Sequence, residues 1–329
     1  MVSKMILIIS EESDQSSNYV IDWLLKNKID FYRINPEDYL NGLYIEMNDF
    51  SISVCVKFGD ININLNDVSA YWYRRGIIKP DFSIKKDINP NITEKLNEHL
   101  HHECKTIEQF IVHTLADKHY LGDYFQRNAN KLISLKIAQE CGLKIPKTIV
   151  SNNKSDMLSF FEKNNSRCIT KGVQDVMSFL IEDKSYFYCT NVVNKKDIEE
   201  MDTSFFPSLL QENVNKRYEL RIFYIAGEFY SMAIFSQQDE QTQVDFRNYN
   251  DKKPNRNVPY QLPVEIETKL DKFMKKMQLN TGSIDMIVTS DYQYVFLEIN
   301  PVGQYDMVSV PCNYYLHERI ANYLINKPI

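Results

Sequence analysis

Glycine is scarce in this chain, with nine in 329 residues at positions 42, 59, 76, 122, 142, 172, 227, 282 and 303, no two of them nearer than seventeen positions. The Walker phosphate loop and the Rossmann fingerprint each need several glycines within about eight residues, so that backbone can close on a phosphate. Neither can exist here, and any nucleotide must be held another way. Cysteine supplies no framework either. The six cysteines (55, 104, 141, 168, 189 and 312) include no Cys-x-x-Cys pair, which argues for reduced thiols over a disulfide scaffold or a zinc knuckle. Long apolar runs are missing: Met5 to Ile9 is too short for a signal core, and nothing approaches the roughly eighteen residues of a membrane span. With 38 basic against 44 acidic residues the net charge is −6, so no overall field draws the chain to nucleic acid or anionic lipid. These absences predict a cytoplasmic protein that binds neither nucleic acid nor membrane.

Of the side chains, 43% are hydrophobic and 25% charged, enough apolar material for two or three packed cores. Met5 to Ile9 predicts a buried strand, and Val20, Ile21, Leu24 and Leu25 an amphipathic helix after it, an α/β beginning. Ile52 to Phe58 and Ile61 to Leu65 predict a hairpin about Gly59-Asp60. Val68 to Arg74 predicts a strand ending in the aromatic-basic cluster Tyr71-Trp72-Tyr73-Arg74-Arg75, which either clamps a peptide or ends the strand against the core. Apolar positions 96, 100, 107, 110, 111 and 115 predict one or two long helices over 92–118. The histidines 99, 101, 102 and 113 with Glu103 fall there without His-Glu-x-x-His spacing, as on a solvated helix face.

Residues 1–120 therefore form a first unit, and 121–206 a second. In that second unit, 128–141 is a helix with Leu132, Leu135 and Ala138 inward and Gly142 as its stop. Strands follow at 148–150, 168–171, 179–181 and 186–189. The third unit, 207–329, has strands at 209–212, 220–225, 228–235, 283–289 and 293–300 and a helix over 264–278. The polar stretch from Gln237 to Pro263 is too long for an ordinary connection and is a candidate substrate loop. Cys141, at a helix end without a nearby His, fits plain packing.

The last two strands carry the most chemistry. A two-residue turn at Asp291-Tyr292 sets Asp285 opposite Glu298, with Ser283, Asp285 and Ile287 on one face and Phe296, Glu298 and Asn300 together on the next strand. Opposed carboxylates destabilise a sheet unless a cation lies between them, and Asp, Glu and an Asn carbonyl are hard oxygen donors of the kind that suits Mg²⁺. The bland alternative is a solvated polar face. Against it, Glu298 lies within Val-Phe-Leu-Glu-Ile-Asn-Pro, among residues that belong in a core.

Upstream stand Asn130-Lys131 with Leu135, Ala138, Gly142-Leu143, Pro146 and Thr148; Lys171-Gly172; Gln211-Glu212-Asn213-Val214; Glu219; Arg221 in Glu-Leu-Arg-Ile; and Arg247 in Asp-Phe-Arg-Asn. In this order the residues from 121 onward resemble the ATP-grasp superfamily of carboxylate-amine ligases. The resemblance implies an ATP-grasp fold, α/β and α+β, with a Rossmann-like N-terminal pre-ATP-grasp domain, and ATP and Mg²⁺ as cofactors. It implies phosphate contacts from Lys131 and Lys171, a hinge at Gln211, Glu212 and Val214 reading the adenine edge, and Glu219 on the ribose. It places Arg221 and Arg247 near the transferred phosphoryl group, and Mg²⁺ on Asp285, Glu298 and Asn300. The Tyr71–Arg75 segment, the Pro254–Pro263 loop and the ending Leu-Glu-Ile-Asn-Pro-Val-Gly-Gln are similar to the peptide-maturing branch, relatives of the microviridin ligases. That branch implies a ribosomal precursor peptide, leader plus core, as substrate, Asp or Glu side chains joined to Ser, Thr or Lys as esters or amides, and a homodimer. A ligase adding a free amino acid and an ATP-binding module without turnover are the rival readings. One departure concerns the segment after Lys171, which has one glycine where many ATP-grasp enzymes carry a glycine-rich loop over the phosphates.

Overall fold

The computed structural model of the chain describes residues 5–81, 90–174, 178–182, 184–187, 190–237, 252 and 254–326. By contact they form two compact units: residues up to 127 with 304–306 and 315–329, and residues 128–303 with 307–314.

The first unit begins with β1 (Met5–Ile9) and α1 (Gln15–Lys26), joined at Asp14, whose side chain caps the helix by accepting from the Ser17 amide. Then come β2 (Phe31–Ile34), β3 (Tyr39–Met47), β4 (Ile52–Phe58), β5 (Ile61–Asn64), β6 (Val68–Tyr73), β7 (Lys79–Pro80), α2 (Pro90–Ala116) and β8 (His119–Leu121). Four of these strands make a parallel sheet in the order β2-β1-β6-β8. The expected hairpin is the β4–β5 pair of a second sheet, β5-β4-β3-β7, of which β3, β4 and β5 lie in sequence between β2 and β6 and β7 follows β6. The aromatic cluster ends β6 inside the core. Tyr71, Trp72 and Tyr73 are buried, and Arg74, also buried, donates from Nε to Asp14 Oδ2 (3.3 Å) and from Nη2 to Gln304 Oε1 (3.1 Å). A peptide clamp built on Tyr71–Tyr73 is therefore overturned, because their rings are consumed by packing.

The second unit contains α3 (Lys131–Glu140), β9 (Thr148–Asn153), α4 (Lys154–Lys163), β10 (Cys168–Thr170), β11 (Ser178–Ile181), β12 (Lys184–Phe187), β13 (Asn191–Val193), α5 (Lys195–Glu199), β14 (Ser204–Glu212), β15 (Lys216–Ile225), β16 (Glu228–Phe235), β17 (Arg256–Tyr260), α6 (Val264–Lys276), β18 (Thr281–Thr289) and β19 (Tyr294–Asn300). After them come α7 (Asp306–Cys312) and α8 (Leu316–Ile325), the latter returning to the first unit.

A small core of Met157, Phe161, Cys168, Ile198 and Leu210 joins α4 and α5 to the sheet β13-β10-β14-β9. A larger core unites α3 and α6 with one face of the five-stranded sheet β17-β16-β15-β18-β19. Residues 206 and 207, the expected boundary, lie within β14. Helix α3 has Asn130 as its N-cap, accepting from the amides of Leu132 and Ile133, and ends at Gly142 with φ +79° and a Leu143 N–H to Ala138 carbonyl bond. It buries Leu135 and Ala138 as expected, but Leu132 is exposed, since a single helical turn after the cap carries it off the buried stripe. Part of the expected substrate loop is also a strand: Val258 and Tyr260 pack on the larger core, and Pro259 is tolerated because β17 is a sheet edge.

Candidate active site

The cleft of interest is built on the face of the five-stranded sheet opposite its core. In β15 the core takes Tyr218, Leu220, Ile222 and Tyr224, and in β18 Ile284, Met286 and Val288. Alternation then gives the other face Glu219 and Arg221 from β15, and Ser283, Asp285 and Ile287 from β18. Arg221, Asp285 and Glu298 form one row across three strands, since Arg221 pairs with Asp285 and Asp285 with Glu298.

The expected register is present, but the turn that was to produce it is not. Thr289 bonds to Gln293, so residues 290–292 form a three-residue loop with Tyr292 at φ +60°. Near the turn Met286 faces Phe296, one residue out of step with Asp285 and Glu298, and the shift is absorbed by a bulge at Leu297. Because Leu297 is an extra residue, Phe296 points into the core beside Phe273 while Leu297 and Glu298 both line the cleft. Phe296 and Glu298 therefore do not share a face, a correction of the simple alternation.

A second bulge, between Lys216 and Tyr218, acts the same way. Strand residues three apart ordinarily point to opposite faces, yet Lys216 and Glu219 are ion-paired in the cleft. Serine 236 donates to the other oxygen, Glu219 Oε2, at 2.8 Å. Burial raises the Glu219 carboxyl pKa, against the opposing pull of Lys216 and Ser236. Lys216 carried no signal in the sequence, because only the bulge turns it from the core side to the cleft.

Lys171, Gln211, Glu212, Val214, Glu219, Asp285 and Glu298 line one cleft. Gln211 is buried and donates to Thr148 Oγ1 at 2.9 Å, while the Glu212 amide bonds to the Lys147 carbonyl. These bonds fix the chain where β14 leaves its sheet, and Val214 follows outside any strand. Lys171 also borders a second pocket, of about 1280 Å³ empty space, with Asn128, Asn130 and Phe206. Two further residues reach the row through ion pairs. Arg221 donates from Nη1 to both oxygens of Asp285 (2.7 and 2.6 Å), and Lys131 Nζ, in the first turn of α3, lies 3.4 Å from Glu298 Oε2. Asn300 pairs with Ser283 on the next rung, is exposed, and accepts from the Val302 amide (3.1 Å). Arg247 lies outside the described residues.

Chemically the row offers two opposed carboxylates and an amide carbonyl, all hard oxygen donors, with four cationic side chains (Lys131, Lys171, Lys216 and Arg221) around them. Such a set can hold a divalent ion and neutralise a polyphosphate. Among the described residues no group of three or more His, Cys, Asp and Glu is arranged to hold a metal, and no helix is long and apolar enough to cross a membrane.

Comparison with known proteins concerns the fold that carries this cleft. Residues 5–128 match the MvdD pre-ATP-grasp domain. No curated protein matches the sequence. Among solved structures, a RiPP-associated ATP-grasp ligase of Chryseobacterium gregarium, in complex with ADP and a leader and core peptide, is similar at 27% identity and TM-score 0.81, covering 99% of this chain and 98% of its own. The macrocyclase MdnC of Microcystis aeruginosa, bound with its precursor peptide MdnA, is similar at 26% identity and TM-score 0.76, covering 98% of this chain and 100% of its own. The ATP-grasp ligase PsnB, complexed with minimal precursor, Mg and ADP, shares the fold at 16% identity and TM-score 0.71, over 99% of this chain and 98% of its own. The chain thus has the fold of these peptide-maturing ATP-grasp ligases, with an MvdD-type pre-ATP-grasp domain over residues 5–128.

Proposed function

We propose that this ligase activates Asp or Glu side-chain carboxylates of a ribosomally made precursor peptide and joins them to Ser, Thr or Lys side chains as macrocyclic esters or amides. The observation that carries the reading is the Arg221–Asp285–Glu298 row on the floor of a cleft that also contains Lys171 and the β14 exit.

A carboxylate is a poor electrophile, so condensation in water needs its oxygen converted to a leaving group. The γ-phosphoryl group of ATP passes to a carboxylate oxygen, ADP departs, and the acyl phosphate is then attacked at its carbonyl carbon by a hydroxyl or amine. Phosphate leaves with the bonding pair, the nucleophile loses its proton, and each link removes one water from the peptide. The protein's part is positioning and charge neutralisation. In this reading the two sheets of the second unit act as the two gripping lobes. The segment Gln211 to Val214 receives the adenine edge and Glu219 the ribose. Lys131, Lys171, Arg221 and Arg247 offset the phosphate charge. Asp285, Glu298 and the Asn300 carbonyl hold Mg²⁺, and their hard oxygens on adjacent strands fit that ion. When bound, the ion supplies charge compensation for the phosphoryl oxygens.

The test is to incubate the purified protein with Mg-ATP and the product of a neighbouring short reading frame rich in Thr and Glu or Asp. Whole-water mass losses with matching ADP are the expected result. An unchanged peptide mass, with ATP consumed only when a free amino acid is added, overturns the reading in favour of amino-acid ligation.

A further inference from the structure

The cations beside the two carboxylates have a consequence of their own. Asp285 and Glu298 bring two negative charges to adjacent strand positions, and Arg221 and Lys131 bring two positive ones. All four side chains are mostly withdrawn from solvent, at 12%, 18%, 10% and 15% exposure respectively. The neighbouring Lys216–Glu219 pair is neutral as well. The row is thus balanced before any metal enters, and a divalent ion added alone leaves an excess positive charge in a poorly solvated place. A polyphosphate reverses that balance, since its oxygens can take over the two protein cations while the carboxylates turn to the metal.

We infer that Lys131 and Arg221 are stand-in cations that hold Glu298 and Asp285 closed to divalent metal until a polyphosphate draws them away. The inference rests on the ligase reading above, and its test does not require turnover. Lys131 and Arg221 are then positioning residues for the metal ligands in addition to their phosphate role. The coupling is reciprocal, so whatever factor nucleotide adds to metal affinity, metal adds to nucleotide affinity.

The experiment measures Mn²⁺ binding to the full chain without nucleotide, by the loss of the free-ion electron paramagnetic resonance signal. The wild-type protein should bind weakly, and Lys131→Met should bind Mn²⁺ at least about tenfold more tightly, because a unit charge within a few ångströms is removed from a site of reduced dielectric. Lys131→Arg, which keeps the charge, should restore weak binding, and Asp285→Asn placed in the Lys131→Met chain should abolish the gain. Arg221→Met should move affinity in the same direction as Lys131→Met. If Arg221→Met fails to fold, Lys131→Met decides, as its residue sits in the first turn of α3. A Lys131→Met protein that binds Mn²⁺ no better than wild type, or worse, overturns the inference. Calorimetry with ADP and wild-type protein separates the two readings: no ADP binding would sink the ligase assignment and leave the metal result standing.

Discussion

Asp285 faces Glu298 across two adjacent strands because Leu297 is one residue too many for a regular ladder. The three-residue turn alone would put Glu298 out of step and on the Phe296 side, within the apolar core. The bulge repairs the register and turns the carboxylate into the cleft, so the central acid of the site keeps its place only because Leu297 is looped out of the ladder.

Deleting Leu297 should therefore remove the bulge and leave the acid in place. With the ladder regular from the turn onward, Glu298 directly follows Phe296, and alternation keeps it on the cleft face opposite Asp285. The expected loss of folding stability is no more than about 2 kcal/mol, since no charge enters the core and only the half-buried Leu297 side chain is removed. Urea denaturation checks it, and a loss of several kcal/mol would contradict the assigned bulge.

Glu298→Gln keeps size and shape and removes the charge. Its partner Lys131 lies at 3.4 Å in a partly solvated pair, and the variant also relieves the repulsion with Asp285, so stability should change by no more than about 1 kcal/mol. Peptide linkage should fall at least about a thousandfold, as expected when charge stabilisation of a phosphoryl transfer is lost. The two measurements are a melting curve and a mass spectrum of the peptide.

Glu219 should give the protein a distinctive pH response. Burial raises its folded pKa above the ordinary carboxylate value, so the native state binds this proton more tightly than the unfolded chain does. Between the ordinary value and the raised one, stability contributed by this group falls as pH rises and grows as pH falls. Glu140, Glu265 and Asp291 have lowered values and slope the other way. The comparison of wild type with Glu219→Gln isolates the effect. The wild type should gain stability relative to the variant as pH drops through that window, and parallel curves would refute the raised value.

Gly303 tests how tightly the chain is packed beyond Asn300. A Cβ at this position would come 2.4 Å from the Ser283 Cβ and 3.0 Å from the Asn300 carbonyl oxygen. Gly303→Ala should cost about 1–3 kcal/mol through overpacking and displace the Asn300 rung. Thermal melting reads the first effect, and weaker Mg-ADP binding by calorimetry reads the second.

Much of the site was legible in the sequence because strand alternation and residue chemistry are local. Ser283, Asp285 and Ile287 share a face as their spacing requires, and the strands at 5–9, 52–58 and 228–235 have the bounds their patterns predict. β3, the short β8 and β13, and the edge strand β17 escaped notice. Tyr39–Met47 mixes polar and apolar residues with a glycine, and Arg256–Tyr260 contains a proline, so neither carries a strand signal without the partner strands that supply the hydrogen bonds.

The sequence by itself determined the kinds of donor and cation present, the absence of a glycine-rich phosphate loop, and the order of elements that carries them. Only the tertiary structure decided which way the charged groups face. A bulge reverses the face of every residue beyond it and is set by long-range pairing between strands, so the aim of Lys216 and Glu298 follows from the assembled sheet and not from either strand alone.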